Sequence, residues 1–324
     1  MTTAVFVTRQ IPENGLSLLK EKGYRVDVYP KDNVPTQKDL LRYLKKYPYD
    51  AVLCLLTDKI DSTFFDAVPT VRLIASYTVG YDNIDLIAAK KRDITVTNTG
   101  GTSQIPVAEQ ALALMLGLVT RMVEADDFVR KGKYKGWSPL SFIAPGISGA
   151  TIGLIGTGAI GNEVARMVHQ GFGAHILYVD PIQNEHIEKA YGATRCSSVE
   201  DLVQRADIVS LHVPLTKQTH HLINRDRLAM MKSTSFIINT SRGAVIDETA
   251  LVAALKNRTI GGAGLDVFEY EPLLTKGLAA LPNVIVTPHI ASARQSIREA
   301  MAKSAAENII DFFEGREPQH IIHI

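Results

Sequence analysis

The 324-residue sequence predicts an α/β protein built from two parallel sheets in tandem. Short β-rich runs alternate with amphipathic helical runs from residue 3 to residue 99, and the alternation restarts at Thr151 and continues to His289. Alternation of this kind is typical of βαβ units, whose strands pair in parallel. Between the two series lie an apolar helical run and a stretch rich in glycine and proline.

Local signals mark the elements of the first series and of the connection that follows. Gly23 supplies the residue that closes the first helix, and Asp61 before Ser62 supplies N-cap chemistry for a later one. One long helix is predicted from about Val107 to Lys131. The following KGKYKGWSPLSFIAPGISG predicts an extended excursion, and a final helix is expected within residues 292–315.

Composition narrows the class of protein. A hydrophobic fraction of 46% and a charged fraction of 21% exclude a disordered chain. A formal charge of +1 gives no global attraction to nucleic acid or to anionic lipid. Cys54 and Cys196 are expected to be small buried residues of a reducing compartment, and the N-terminal run resembles a first strand more than a signal peptide. These observations predict a cytoplasmic enzyme.

The second series opens on a glycine-rich turn, TIGLIGTGAIG, in which Gly156, Gly158 and Gly161 are spaced as G-x-G-x-x-G. This spacing allows a tight turn, a close approach of the backbone to a pyrophosphate, and close packing of helix on strand. The predicted phosphate-binding turn is completed by the intervening residues, which are Thr157, Ala159 and Ile160. Alone the pattern is weak, because glycine-rich turns are common.

Asp180 ends the next predicted strand, 19 residues after Gly161. A carboxylate at this spacing is typical of sites that bind the adenosine ribose hydroxyls, although a strand-end turn cap is the alternative. Asp180 would repel a 2′-phosphate, and no Arg or Lys occurs between it and Lys189. The sequence therefore favours NAD over NADP.

Three further side chains follow predicted strands: Arg242, Glu271 and His289. Ligands of open α/β sheets bind beyond the carboxyl ends of strands, so all three are candidates for one cleft. Singly, they are explained as a surface cap, a turn residue and a buried imidazole. Together they suit reduction of a keto acid, with Arg orienting a carboxylate, His donating a proton and Glu favouring the protonated imidazole.

GTGAIG, NTSRGAVIDETAL, GAGLDVFEYEP and NVIVTPHIAS, in this order, closely resemble the D-isomer-specific 2-hydroxyacid dehydrogenases. The resemblance implies catalytic roles for Arg242, Glu271 and His289. It also implies a Rossmann nucleotide domain, residues 100–289, inserted into a flavodoxin-like substrate domain, residues 1–99 plus 290–324. A dimerisation helix and arm would occupy about residues 107–150 of the nucleotide domain.

The resemblance extends to substrate and cofactor contacts. The backbone amides of Val79 and Gly80 would bind the substrate carboxylate, with a plain glycine turn as the alternative. Asp266 would contact the nicotinamide carboxamide or serve as a structural strand-end residue. Further cofactor contacts are predicted at Pro214, Thr219 and Thr240, and no metal site is predicted.

The segment around Trp137 resembles glyoxylate and hydroxypyruvate reductases, in which a tryptophan reaches the neighbouring subunit's active site. Burial in a dimer contact is the alternative for Trp137. Ala159 and Asp180 stand where many glyoxylate reductases carry residues that support NADPH. We therefore expect an NADH-dependent, homodimeric reductase of glyoxylate or hydroxypyruvate that forms D-2-hydroxy acids. The alternatives are a D-lactate-type or other D-2-hydroxyacid dehydrogenase and a non-enzymatic, NAD-sensing protein resembling the corepressors.

Overall fold

The structure is a computed structural model that describes residues 2–323, and these residues divide into two compact units. Unit 1 combines the chain up to Ser103 with the chain from Ala293 onward. Unit 2 is the continuous segment Gln104–Ser292, so in the sequence it interrupts unit 1.

Unit 1 contains a five-stranded sheet in which every paired strand is parallel. Its strands are β1 (Ala4–Val7), β2 (Arg25–Val28), β3 (Ala51–Cys54), β4 (Leu73–Ser76) and β5 (Thr95–Thr97). The order β2-β1-β3-β4-β5 is the flavodoxin-like order. Its helices are α1 (Glu13–Glu21), α2 (Gln37–Leu44), α3 (Ser62–Ala67), α4 (Leu86–Lys90) and, from the C-terminal part of the chain, α12 (Gln295–Phe313).

Both faces of the unit 1 sheet are covered. Leu16 of α1 and Ala302 of α12 are fully buried on one face, and Leu40 of α2 and Phe64 of α3 are fully buried on the other. The Asp61 carboxylate accepts the backbone N–H of Phe64 and caps α3, as the sequence predicts. The three central strands β1, β3 and β4 are fully buried and almost entirely apolar, which is typical of a parallel sheet covered on two sides, whereas the edge strand β2 carries Arg25 and Asp27.

Unit 2 contains a seven-stranded sheet, also parallel at every pairing. Its strands are β6 (Thr151–Ile155), β7 (His175–Val179), β8 (Thr194–Arg195), β9 (Ile208–Leu211), β10 (Phe236–Asn239), β11 (Gly262–Leu265) and β12 (Val284–Val286). The order β12-β11-β10-β9-β6-β7-β8 reverses direction between β6 and β9. That reversal is the topological switch point at which doubly wound sheets bind nucleotides.

The helices of unit 2, apart from the helix Met122–Arg130, which buries no residue, cover the two faces of its sheet. They are α5 (Gln104–Val119), α6 (Met122–Arg130), α7 (Ala159–Phe172), α8 (Glu185–Tyr191), α9 (Val199–Arg205), α10 (Arg225–Met230) and α11 (Glu248–Lys256), with 3-10 turns at Gly243–Val245 and Leu278–Ala280. Residues of α5, α7 and α8 form one core, and residues of α9, α10 and α11 form the other. The predicted α/β class with two parallel sheets is confirmed. Cys54 and Cys196 are buried, as expected.

The single helix predicted from Val107 to Lys131 is wrong. The chain forms α5 and α6, which meet at an angle of 62°. Arg121 adopts the left-handed conformation, with φ of 53°, and no α-helix continues through such a residue. The following arm, residues 131–150, contains neither helix nor strand, as predicted. Within residues 2–323, no single helix is long and apolar enough to cross a membrane, and only α5 and α6 taken together meet that criterion.

Candidate active site

The glycine-rich turn joins β6 to the N-terminus of α7. Gly156 has a φ of +91°, and a side chain on it would meet the backbone oxygen of His212 at 2.6 Å. A side chain on Gly161 would collide with the Gly156 carbonyl oxygen, whereas a side chain on Gly158 meets nothing within 4 Å. Gly156 and Gly161 are therefore required by packing, and Gly158 borders open space.

The N-terminus of α7 is available for an anion. Gly158 is the N-cap residue of this 14-residue helix, and no side chain caps it. The N–H groups of the first turn therefore keep free hydrogen-bonding capacity at the positive end of the helix dipole. Thr157 is buried beside this turn, and Ala159 and Ile160 begin the helix.

Asp180 follows β7, and its carboxylate contacts the glycine-rich turn. Its Oδ2 accepts hydrogen bonds from the Thr157 N–H at 2.7 Å and from the Thr157 hydroxyl at 3.2 Å. Arg195 of β8 lies at the same strand end, since its Nη2 donates to the carbonyl oxygens of Asp180 and Pro181 at 2.8 and 3.1 Å. The region thus carries a carboxylate and, contrary to the impression from the linear sequence, a guanidinium.

The other predicted cofactor contacts also follow parallel strands of unit 2. The Thr219 hydroxyl, after β9, donates to the Pro214 carbonyl at 2.6 Å. Thr240 follows β10, and its buried hydroxyl has no hydrogen-bond partner among residues 2–323. An uncapped helix, the open space at Gly158 and this unsatisfied hydroxyl fit a dinucleotide laid along the carboxyl edge of the sheet.

Arg242 lies in a loop after β10 that is fixed by Asn239. The Asn239 side chain, which is buried, donates to the Arg242 carbonyl at 2.9 Å and accepts from the N–H and hydroxyl of Ser241 at 3.0 and 2.8 Å. Gly243 continues the loop against the backbone after β11, where an added side chain would collide with the Phe268 carbonyl carbon. The loops that carry Arg242 and Glu271 are therefore packed together, backbone against backbone.

Glu271 and His289 form a direct pair. The His289 Nδ1 lies 3.0 Å from the Glu271 Oε2, and a carboxylate only accepts, so the ring donates this hydrogen bond. Burial raises the pKa of Glu271, but the hydrogen bond and charge of His289, with smaller effects of the Phe268 N–H and of Arg242, hold it below its ordinary value. The side chains are 27% and 30% exposed for His289 and Glu271, so the imidazole remains accessible.

Asp266 clamps the loop that presents His289. Its carboxylate is fully buried and accepts hydrogen bonds from the Thr287 hydroxyl at 2.6 Å and from the N–H groups of Ile290 and Ala291 at 2.9 and 2.8 Å. Its backbone carbonyl accepts a hydrogen bond from the backbone N–H of His289 at 2.9 Å. These contacts support the structural alternative for Asp266, and a contact with nicotinamide stays a prediction.

The loop after β4 in unit 1 carries Val79 and Gly80. The Asn98 side chain donates to the Val79 carbonyl at 2.8 Å, and the Thr78 hydroxyl donates to the Gly80 carbonyl at 2.9 Å. Neither Val79 nor Gly80 donates its N–H within residues 2–323. The Val79 carbonyl and the Gly80 N–H belong to one planar trans peptide and point in opposite directions, so the Gly80 N–H points away from Asn98.

Trp137 lies in the arm of unit 2, and its side chain is 83% exposed.

Comparison with known proteins places these motifs in a family. Residues 112–291 match the sequence model described as D-isomer specific 2-hydroxyacid dehydrogenase, NAD binding domain. The chain is 43% identical to a glyoxylate reductase of Thermococcus litoralis, over all of this chain and 97% of the relative. The chain belongs to the D-isomer-specific 2-hydroxyacid dehydrogenase family.

Solved structures agree with this family assignment. A protein from Thermus thermophilus superimposes with a TM-score of 0.91 at 38% identity, covering 99% of this chain and all of that one. The NADPH-dependent glyoxylate/hydroxypyruvate reductase of Sinorhizobium meliloti superimposes with a TM-score of 0.84 at 30% identity, covering 99% and 97%. This dehydrogenase is therefore similar to relatives that include an NADPH-dependent enzyme.

Sequence reasoning missed several residues around the site of this dehydrogenase. Arg195 went unnoticed because it follows Asp180 by 15 positions, and only the pairing of β7 with β8 brings it back. Asn239 could have been found from its place at a strand end before a charged loop. His212 gave no signal, yet its buried Nε2 has no partner within the described chain, and burial lowers its pKa to about 4.

Proposed function

We propose that this dehydrogenase uses NADH to reduce small 2-keto acids to D-2-hydroxy acids, with glyoxylate or hydroxypyruvate as the preferred substrate. The observation that carries the proposal is the hydrogen bond of 3.0 Å between His289 and Glu271, which follow neighbouring strands at the carboxyl edge of the sheet. The glyoxylate reductases among the relatives support the substrate class.

The proposed chemistry divides between three side chains. The Arg242 guanidinium binds the substrate carboxylate with two hydrogen bonds and polarises the keto oxygen. The His289 imidazolium donates a proton to that oxygen as it gains negative charge. Glu271 accepts the other ring N–H, which fixes the ring and stabilises its charged form. The Val79 and Gly80 N–H groups would add donors for the carboxylate.

The proposed cofactor site is the carboxyl edge of the unit 2 sheet. Reduced nicotinamide, when bound, supplies the hydride. The N-terminus of α7 would hold the pyrophosphate, Asp180 the ribose hydroxyls, and Thr240 with the 214–219 turn would border the remainder. Asp180 is the basis for preferring NADH, since its carboxylate repels a 2′-phosphate.

We also propose that the enzyme is a homodimer. The arm exposes large apolar side chains that a monomer would leave in water, among them Trp137 at 83%, Leu140 at 78% and Ile143 at 67%. Met122, Val123 and Val129 of α6 are exposed in the same way. Exposed apolar surface of this extent in one segment is typical of an association surface.

The deciding experiment follows NADH oxidation with glyoxylate, hydroxypyruvate, pyruvate and phenylpyruvate. We expect the highest kcat/KM with glyoxylate or hydroxypyruvate, and D-glycerate as the product of hydroxypyruvate. Stereochemistry must be read from hydroxypyruvate, because glycolate is achiral. A preference for pyruvate would indicate a D-lactate-type enzyme, and cofactor binding without turnover of any substrate would indicate a sensor.

A further inference from the structure

Three candidate metal ligands lie together on segments that follow β9 and β11. His220 and His221 end the 216–221 turn, and Glu269 stands in the loop after β11. One ligand atom from each residue lies within 4.8 Å of the other two. The fold thus assembles two imidazoles and a carboxylate from positions 48 residues apart in the chain.

The protein already orients each of these groups. The Glu269 Oε2 accepts the Glu248 N–H at 3.1 Å, which leaves Oε1 directed at the His221 Nε2, 2.8 Å away. The backbone N–H of His221 donates to the Ala244 carbonyl at 2.8 Å. The imidazole rings of His220 and His221 stack with their centroids 4.0 Å apart. Because these contacts already restrict the side chains, less conformational entropy is lost when a metal ion binds.

Access and distance are compatible with a tetrahedral ion. His220 is exposed, while the side chains of His221 and Glu269 are 35% and 8% exposed, so the cluster opens to solvent on the His220 side. Zinc bonds of about 2.0–2.2 Å place tetrahedral ligand atoms about 3.3 Å apart. The ligand atoms of the cluster lie within 4.8 Å of one another, so binding an ion requires them to move closer by side-chain rotation.

We propose that His220, His221 and Glu269 bind one divalent transition-metal ion of the zinc class, with water completing a four-coordinate shell. Two imidazoles favour zinc, cobalt or nickel over magnesium and calcium, which prefer oxygen ligands. The ion displaces the ring proton that His221 donates to Glu269, and this proton is released to solvent. The ion joins the 216–221 turn to the 268–271 loop, which also carries Glu271.

The test uses tag-free, chelator-treated protein. We expect Zn²⁺ to bind in calorimetry with one ion per chain, Co²⁺ to give the visible absorption of a tetrahedral site, and Mg²⁺ not to bind. His220→Ala and Glu269→Gln should each weaken Zn²⁺ binding at least tenfold. His186→Ala is the matched control, because it removes an exposed histidine from α8, and it should bind as the unaltered chain does.

Thermal unfolding supplies a second measurement, since an ion that binds only the folded chain raises the Tm. Zn²⁺ should raise the Tm of the unaltered chain and of His186→Ala, and raise that of His220→Ala less. His220 is exposed, so its removal leaves the fold intact and the comparison valid. Absence of stoichiometric binding, or equal Zn²⁺ affinity of His220→Ala and the unaltered chain, would overturn the proposal.

Discussion

His289 is held in a backbone conformation that few side chains adopt. Its φ is +54°, in the left-handed region, which costs an ordinary residue on the order of 1 kcal/mol. Its N–H donates to the carbonyls of Asp266 and Thr287, and the Asp266 carboxylate fixes the residues on both sides. The fold thus opposes a local preference in order to direct this ring toward Glu271.

The first prediction concerns this pair. His289→Gln removes the proton donor and should lower kcat roughly 100-fold or more with glyoxylate or hydroxypyruvate. Glu271→Gln keeps a hydrogen-bond acceptor but removes the charge that stabilises the imidazolium. It should lower kcat less than His289→Gln does. Steady-state kinetics measure both effects.

His186→Gln is a suitable control for the histidine substitution, because it replaces an exposed histidine of α8 in the same unit. It should retain most of the keto acid reduction. Turnover of His289→Gln close to that of the unaltered enzyme would remove His289 from the proposed chemistry. An unchanged kcat in Glu271→Gln would limit Glu271 to a packing role.

The second prediction concerns the cofactor. Asp180 presents a carboxylate and Arg195 a guanidinium at the end of β7, and these groups act oppositely on a 2′-phosphate. Asp180→Ala should raise kcat/KM for NADPH and lower it for NADH. Adding Arg195→Ala should abolish most of the gain with NADPH. Lys189→Ala, which removes an exposed lysine paired with Glu185, is the control and should change neither value.

Kinetics with both cofactors decide between the possible outcomes. If Asp180→Ala leaves the NADH preference unchanged, the selectivity lies elsewhere in the site. If the double variant has the same kcat/KM for NADPH as Asp180→Ala, Arg195 does not contact the 2′-phosphate.

The sequence predicted the carboxylate of Asp180, which repels a 2′-phosphate, but not the guanidinium of Arg195, which attracts it. The reason is that β8 is only two residues long and has no recognisable strand pattern.

At the scale of elements, the turn between β6 and α7 contains glycines with two different roles, one in packing and one beside the proposed cofactor site. Gly161 packs against the Gly156 carbonyl, while Gly158 borders open space. The third prediction is that Gly161→Ala lowers the Tm by several degrees, because the new methyl group separates helix from strand. Gly158→Ala should leave the Tm nearly unchanged but weaken NADH binding at least tenfold.

Differential scanning fluorimetry and fluorescence titration with NADH measure these two effects. The pair of variants is matched, since each adds one methyl group within the same turn. Equal losses of Tm in the two variants would mean that Gly158 is also constrained by packing. Unchanged NADH affinity in Gly158→Ala would move the pyrophosphate away from this turn.

The break between α5 and α6 shows why one element could not be predicted. Residues 118–131 contain no glycine or proline, and the apolar spacing of α5 continues into α6. The left-handed Arg121 is held by two hydrogen bonds to Glu124, at 2.9 and 2.7 Å, and by the Phe142 ring, 5.1 Å from its guanidinium. Phe142 belongs to the arm, so a contact distant in sequence helps to determine the bend.

At the scale of the whole molecule, the class of fold was predictable because buried parallel strands are apolar throughout and alternate with amphipathic helices. Strand order did not follow from the local pattern, since the run VRLIASY does not indicate its neighbours, and only the family resemblance implied the flavodoxin-like order. The closeness of Glu271 to His289 was expected from their places after strands. Their separation of 3.0 Å depends on Asp266, whose bonds to residues 287–291 no local pattern predicts.

The last prediction concerns the proposed dimer. Sedimentation should give about twice the 35.5 kDa mass of the chain at micromolar concentration. The double variant Leu140→Ser, Ile143→Ser removes exposed apolar area without disturbing a buried core, so it should weaken the dimer while the circular dichroism of the folded chain stays unchanged. Ile182→Ser is the control, because Ile182 is 78% exposed in unit 2 but outside the arm. A monomer in the unaltered chain, or a dimer equally strong in the arm variant, would contradict the proposal.

If Trp137 completes the partner's site, the arm variant should also lose activity on dilution, and Trp137→Ala should raise KM while the dimer persists.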